Sequence, residues 1–155
     1  MKRKILESFI EWKGSEERKP LILNGARQVG KTYILEEFGK KYFENVIYLN
    51  MEIEGNVRNF IEKDLSPRKI IQFIETSKRQ EIIPEKTLIF FDEIQASERT
   101  LTSLKYFCEQ TPEYYIVAAG SLLGVSINRE KYSFPVGKAN EFYLYPLDFE
   151  EFLGR

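Results

Sequence analysis

The chain has 155 residues, the size of one domain, with a net charge of −1, one cysteine and no histidine. These numbers exclude an intrachain disulfide, Ser-His-Asp and Cys-His catalysis, and every metal site that needs histidine. The balanced charge gives no support to a dedicated nucleic-acid binder, and no apolar run approaches the roughly 20 residues of a membrane span. We therefore expect a cytoplasmic domain that makes no membrane contact.

Hydrophobic periodicity predicts an alternation of helices and strands along the chain. The predicted helices cover residues 3–13, 31–41, 56–63, 68–80 and 98–110. The predicted strands cover residues 20–24, 45–51, 87–91, 113–119 and 141–144. The fourth strand is apolar without alternation, as in strands that helices cover on both faces. This order predicts an α/β fold around a parallel sheet.

The last third of the chain is less regular. Residues 121–140 show no clear period, and we expect short helical turns or a functional loop there. Asp148, followed by Glu151, has the spacing of a capping box and predicts a last helix. Because that helix would stop at Arg155, we expect residues 1–155 to be the N-terminal part of a longer protein.

A glycine-rich segment follows the first predicted strand and fits the G-x-x-x-x-G-K-[ST] pattern of a phosphate-binding loop. Its residues are Gly25, Ala26, Arg27, Gln28, Val29, Gly30, Lys31 and Thr32. Glycines let the backbone wrap around phosphates, and the helix that follows adds N–H groups and a positive dipole end. We expect Lys31 to bridge phosphate oxygens and the Thr32 hydroxyl to ligate Mg²⁺. A chance glycine turn is the alternative, and the flanking strand and helix disfavour it.

Two adjacent carboxylates, Asp92 and Glu93, follow the third predicted strand. Ligands of open α/β sheets bind at the carboxyl ends of the strands, so both acids are expected beside the phosphate loop. We expect Asp92 to hold Mg²⁺ through a water and Glu93 to polarise the water that attacks the γ-phosphate. An exposed acidic turn is the alternative. Asn50 and Glu52, at the end of the second strand, are weaker candidates at the same edge.

Four further residues are secondary candidates. If the fourth strand lies between the first and the third, Ser121 would lie beside the γ-phosphate. Its hydroxyl could then sense that phosphate, and Ser121 is the third catalytic candidate after Lys31 and Glu93. The alternative is that Ser121 is a helix N-cap. Gln95 could reach the attacking water or lie in a surface turn. Arg58 and Arg129 could act as an arginine finger, although a solvated arginine is the better interpretation of each.

Several segments resemble, in the same order, those of bacterial and archaeal AAA-superfamily ATPases whose phosphate loop reads N-G-A-R-Q-V-G-K-T. The similar segments are 24–32, 90–95, 118–124, 134–138 and 144–153. The resemblance implies a P-loop NTPase three-layer sandwich with a mainly parallel five-stranded sheet in the order 5-1-4-3-2. It implies the same roles for Lys31, Thr32, Asp92, Glu93 and Ser121. It also implies a C-terminal domain beyond this chain. A protein partner or an oligomer is a further candidate that the resemblance does not decide.

Two functions stay open at this point. The first is an ATPase that uses ATP and Mg²⁺ to drive a conformational or partner-binding change. The second is a nucleotide-gated binding module with negligible turnover. A small-molecule kinase would share the loop, but the paired acids favour activation of water. A GTPase is disfavoured because no Asn-Lys-x-Asp motif is present, and a helicase would need a second motor domain. Nucleic acid remains a candidate partner without support from the charge.

Overall fold

A parallel five-stranded sheet forms the centre of the protein, as seen in a computed structural model that describes residues 2–26, 30–121 and 137–144. The strands are β1 (Leu21–Asn24), β2 (Asn45–Asn50), β3 (Thr87–Asp92), β4 (Tyr115–Gly120) and β5 (Asn140–Tyr143). The helices are α1 (Lys2–Gly14), α2 (Lys31–Tyr42), α3 (Gly55–Lys63), α4 (Pro67–Lys78) and α5 (Glu98–Gln110). A short 3₁₀ helix, Ile94–Ala96, follows β3.

The strand order is β2-β3-β4-β1-β5, and every neighbouring pair is parallel. From the other edge this reads 5-1-4-3-2, so the predicted α/β fold and strand order are confirmed. The predicted elements within the described residues end within two residues of the observed ones. β4 begins at Tyr115 rather than at residue 113 because Tyr114 N donates to Thr111 O in a turn. Residues 122–136 and the helix predicted after Asp148 lie outside the described residues.

The sheet separates two hydrophobic cores, because alternate residues of a strand point to opposite faces. Ile89 and Phe91 of β3 belong to the core that α3, α4 and α5 cover. Leu88 and Phe90 belong to the other core, which α1 and α2 cover. The chain therefore forms the three-layer sandwich that the resemblance implied.

Trp12 attaches α1 to the layer that contains α2. Its indole Nε1 donates to Lys19 O at 2.6 Å, just before β1 begins. Its ring packs edge-on against Tyr115, the first residue of β4, with 5.7 Å between ring centroids. At the amino ends of these strands, the buried indole therefore has a hydrogen-bond partner for its N–H group and a ring to pack against.

The parallel register brings the carboxyl ends of β1, β2, β3 and β4 to one rim of the sheet. Asn50 is paired with Asp92, and Asn24 is paired with Gly120. α2 begins at Lys31, which follows the loop after β1, so its N-terminus lies at the same rim. β4 lies between β1 and β3, which is the condition set for a role of Ser121.

Membrane spans are absent from the described part of the chain: no helix within residues 2–26, 30–121 and 137–144 combines the length and hydropathy that crossing a bilayer requires.

Phe38 anchors α2 to the sheet and to α1. Its ring centroid lies 5.3 Å from that of Phe9 and 5.7 Å from that of Phe43. We expect Phe38→Ala to lower the free energy of unfolding by about 3–5 kcal/mol, because a fully buried aromatic ring leaves a cavity. Urea unfolding followed by circular dichroism measures this. Ile53→Ala is the control, because Ile53 is 75% exposed; its expected change is within about 0.5 kcal/mol. Equal losses in the two variants would contradict this packing role.

Candidate functional site

Gly30 sets the direction in which α2 leaves the glycine-rich loop. It precedes α2 with φ 88° and ψ 18°, a left-handed conformation that glycine adopts without strain. Its carbonyl accepts a hydrogen bond from Ile34 N at 3.0 Å, which opens the helical ladder. The first N–H groups of α2 therefore face the rim, as they do in helices that bind anions. Arg27, Gln28 and Val29 lie outside the described residues.

Lys31 folds back onto the loop from which α2 emerges. The side chain is buried, and its Nζ donates to Gly25 O at 2.8 Å and to Ala26 O at 2.7 Å. Carbonyl groups solvate an ammonium group without neutralising its charge. The two carbonyl contacts therefore hold the buried cation in place at this rim.

The carboxylate of Asp92 is the meeting point of three elements. Its Oδ2 accepts from Thr32 Oγ1 of α2 at 2.6 Å and from Tyr48 Oη of β2 at 2.5 Å. Its Oδ1 accepts from Glu93 N at 2.9 Å. The Asp92 residue is 3% exposed. Asp92 faces α2 because it is two residues beyond Phe90, which packs on that side of the sheet.

Glu93 leaves the strand in a different direction from Asp92. Its backbone is left-handed, with φ 52° and ψ 47°, which is uncommon for a residue that is not glycine. Its Oε2 accepts a hydrogen bond from Gln95 Nε2 at 2.9 Å. Such backbone conformations cluster at functional sites, where the surrounding structure maintains them. The two adjacent acids thus have different partners and different orientations.

A cleft of about 500 Å³ opens where these residues meet. This volume lies within the range of small-molecule sites. Its lining combines the start of α2, the end of β2 and the two acids of β3. The residues are Gly30, Lys31, Thr32, Tyr33, Tyr48, Asn50, Glu52, Asp92 and Glu93. The cleft therefore combines the start of a helix and a lysine with two carboxylates.

Tyr48 was missed by the sequence reasoning. Burial, the hydrogen bond to Asp92 and the negative charge of that carboxylate together raise the pKa of Tyr48 above its ordinary value. The phenol is protonated at neutral pH in any case, and it donates its hydrogen to Asp92. The sequence did contain information that could have identified Tyr48. In the implied strand order β2 lies beside β3, and strand alternation puts Tyr48 on the same face of the sheet as Asp92.

The secondary candidates have different surroundings. Ser121 is half-buried and follows the end of β4, where Gly120 O accepts from Gly25 N at 3.3 Å. The end of β4 is thus joined directly to the phosphate loop. Arg58 Nη1 donates to Met51 O and is engaged with the turn after β2. Arg129 lies outside the described residues.

The donor set fits one kind of metal ion. Within residues 2–26, 30–121 and 137–144 no group of three or more Cys, Asp or Glu side chains could enclose a cation. The Thr32 hydroxyl and the Asp92 carboxylate nevertheless present two hard oxygens 2.6 Å apart. Mg²⁺ in nucleotide sites takes one or two protein oxygens of this type and fills its other positions with phosphate oxygens and water.

The fold, with its five parallel strands in this order, is that of the P-loop NTPases. The model of the AAA domain family matches residues 17–153, which is nearly the whole chain. The chain therefore belongs to the AAA domain family, and nucleotide binding is the property that this membership supports. The predicted resemblance to the AAA superfamily is confirmed.

The chain is similar to many solved structures, including the following two. The Walker-type ATPase PABY2304 of Pyrococcus abyssi is 21% identical, with a TM-score of 0.55 over 99% of this chain and 55% of that one. The ORC1 protein of Aeropyrum pernix, solved in complex with DNA, is 16% identical, with a TM-score of 0.58 over 93% and 43%. At these identities the likeness shows the fold alone. The chain spans about half the length of these proteins. No curated protein matches the chain.

Proposed function

We propose that this chain binds ATP with Mg²⁺ and hydrolyses it to ADP and phosphate, and that hydrolysis drives a conformational or partner-binding change. The observation that carries the proposal is the 2.6 Å contact between Thr32 Oγ1 and Asp92 Oδ2, in a cleft that Lys31 and Glu93 also line. Membership of the AAA domain family supports the nucleotide-binding part.

The phosphate-binding part of the proposal rests on the loop and on the start of α2. Bound ATP with Mg²⁺ would supply the transferable phosphoryl group and an ion that neutralises its charge. Residues 25–32 would hold the phosphates through backbone N–H groups, and Lys31 would neutralise phosphate oxygens as a point charge. Thr32 and Asp92 would hold the cation, with Tyr48 fixing the carboxylate through its hydroxyl.

The catalytic part of the proposal assigns activation of water to Glu93. Its carboxylate lies at the same rim but is not engaged by Thr32 or Tyr48, so it is available as a proton acceptor. Phosphoryl transfer depends mainly on positioning and on charge neutralisation, and a carboxylate is sufficient as the base. Ser121 is proposed to sense the γ-phosphate, because the end of β4 contacts the loop at Gly25.

Release of phosphate from ATP by the full-length protein, measured with and without Mg²⁺, tests the proposal. Turnover that requires both Mg²⁺ and Glu93 would support it. Tight ATP binding without turnover, in the wild type and in Glu93→Gln alike, would contradict hydrolysis and favour a nucleotide-gated binding module.

ATP is the partner that the site supports. The DNA in the ORC1 structure belongs to that protein, and the net charge of −1 gives no reason to transfer it to this chain. We include as parts of the proposal a domain beyond residue 155, which rests on the family resemblance, and a protein partner or a second copy. The single cysteine is consistent with a cytoplasmic setting.

Tyr48→Phe tests the cation-binding role of Asp92. We expect the Mg²⁺ concentration needed for half-maximal ATP binding to rise about 3- to 10-fold. The effect is indirect, because Asp92 loses one of its three hydrogen bonds but keeps its own contact with the cation. Titration of Mg²⁺ against a fluorescent ATP analogue measures this. Tyr42→Phe removes a hydroxyl at the other end of α2 and is expected to change nothing. A Mg²⁺ requirement that is unchanged in Tyr48→Phe would refute the positioning of Asp92 by Tyr48.

A further inference from the structure

The 3₁₀ helix after β3 brings the side chain of Gln95 between Glu93 and the end of β4. Gln95 Nε2 donates to Glu93 Oε2 at 2.9 Å. Gln95 Oε1 is buried and accepts no hydrogen bond from any residue that the structure describes. A buried amide oxygen without a donor is unfavourable, so its position calls for a physical explanation.

The backbone of β4 approaches this amide at Gly120. A Cβ added to Gly120 would lie 2.3 Å from Gln95 Oε1 and 3.2 Å from Ile94 N. Real side chains do not tolerate the first of these distances, so the amide can lie against the strand only because Gly120 has no side chain. Gln95 is thus enclosed between the Glu93 carboxylate and the strand that ends beside Ser121.

We infer that Gln95 is the positioning residue of Glu93. Its amide N–H holds the Glu93 carboxylate in one orientation, and the close fit against Gly120 holds the amide. The inference rests on the proposed function, since the orientation matters only if Glu93 activates water. A carboxylate held in place beforehand does not have to be ordered during the reaction, so the benefit falls on turnover and not on ATP binding.

Two substitutions disturb the same contact from opposite sides. Gln95→Met keeps the length of the side chain and removes the donor. Gly120→Ala keeps the donor and displaces the amide. We expect each to lower kcat for phosphate release about 10- to 100-fold, the range for one hydrogen bond to a charged group, and to leave KM for ATP within about twofold. Gln80→Met, on the exposed turn after α4, is the matched control and should behave as the wild type.

Double substitutions separate positioning from a general loss of structure. In the Glu93→Gln background, Gln95→Met should cause no further loss, because the residue it positions no longer acts as a base. In the Gln95→Met background, Gly120→Ala should lower kcat by a much smaller factor than it does alone, because the two changes remove one shared contact. Full additivity in either pair, or an effect carried by KM, would overturn the inference.

A nuclear magnetic resonance measurement makes the result independent of turnover. In the full-length protein labelled with [¹⁵N]glutamine, the side-chain amide signal of Gln95 is the one that Gln95→Met removes, and Glu93→Ala should shift it. If Glu93→Ala leaves the chemical shift of this signal unchanged, the contact and this inference alone are overturned. If Glu93→Ala shifts the signal but ATP turnover does not depend on Glu93, the proposed function is overturned, and the positioning role with it.

Discussion

Replacement of Lys31 by alanine is expected to weaken ATP binding by about 100-fold. Truncating one partner of a buried, hydrogen-bonded charge pair typically costs 30-fold or more, and often much more. The lower part of that range applies here, because Lys31 Nζ already has two carbonyl partners, Gly25 O and Ala26 O, which phosphate oxygens must replace. The net gain from the phosphates is therefore smaller than the gross interaction.

Isothermal titration calorimetry with ATP and Mg²⁺ measures this effect. Lys40→Ala is the matched control, since it removes the same charge from the exposed face of the same helix. We expect its dissociation constant to stay within about twofold of the wild type, as for surface substitutions in general. Equal affinities of Lys31→Ala and Lys40→Ala would remove the basis for a phosphate site at this loop.

Glu93→Gln is expected to reduce phosphate release by two orders of magnitude or more and to leave ATP affinity within about twofold. General-base catalysis contributes about 10²- to 10⁴-fold, and an amide of the same shape cannot take the proton. Glutamine keeps an oxygen that can accept from Gln95 Nε2, so the local contact is retained. The effect is therefore expected in turnover, not in binding.

Single-turnover phosphate release, with the protein in excess over ATP and well above the dissociation constant, measures the chemical step in Glu93→Gln. Glu62→Gln, on the exposed side of α3, changes the charge equally and should turn over at the wild-type rate. A Glu93→Gln variant that hydrolyses ATP as fast as Glu62→Gln would refute the assignment of Glu93 as the base.

The features that sequence reasoning predicted are those that local pattern determines. Asp92 follows an apolar strand and Lys31 opens an amphipathic helix, and both signals lie within a few residues of the feature they predict. Parallel strands place their carboxyl ends at one edge of the sheet. The proximity of the glycine-rich loop and the acids could therefore be predicted from the strand assignments alone. The strand order itself came from the family resemblance and not from periodicity.

The features that were missed depend on residues far apart in the chain. Tyr48 of β2 donates to Asp92 of β3, and two helices lie between these strands along the chain. Gln95 contacts Gly120 because the left-handed backbone of Glu93 turns the chain toward β4. Nothing in the local sequence of Glu93 requires that conformation, since glutamate adopts it rarely. The side chain of Gln95 was therefore assigned to a surface turn or to the attacking water, and its contact with Glu93 went unforeseen.

Trp12 gives the chain a natural optical reporter. It is the sole tryptophan, and it lies at the amino ends of β1 and β4, opposite the rim where nucleotide is proposed to bind. An indole shielded from water emits at shorter wavelength than one in solvent, so its emission follows the packing of α1 against the sheet. If Lys31→Ala leaves the emission unchanged, the layer that contains α1 and α2 is still folded. A loss of ATP affinity in that variant is then due to the missing ammonium group.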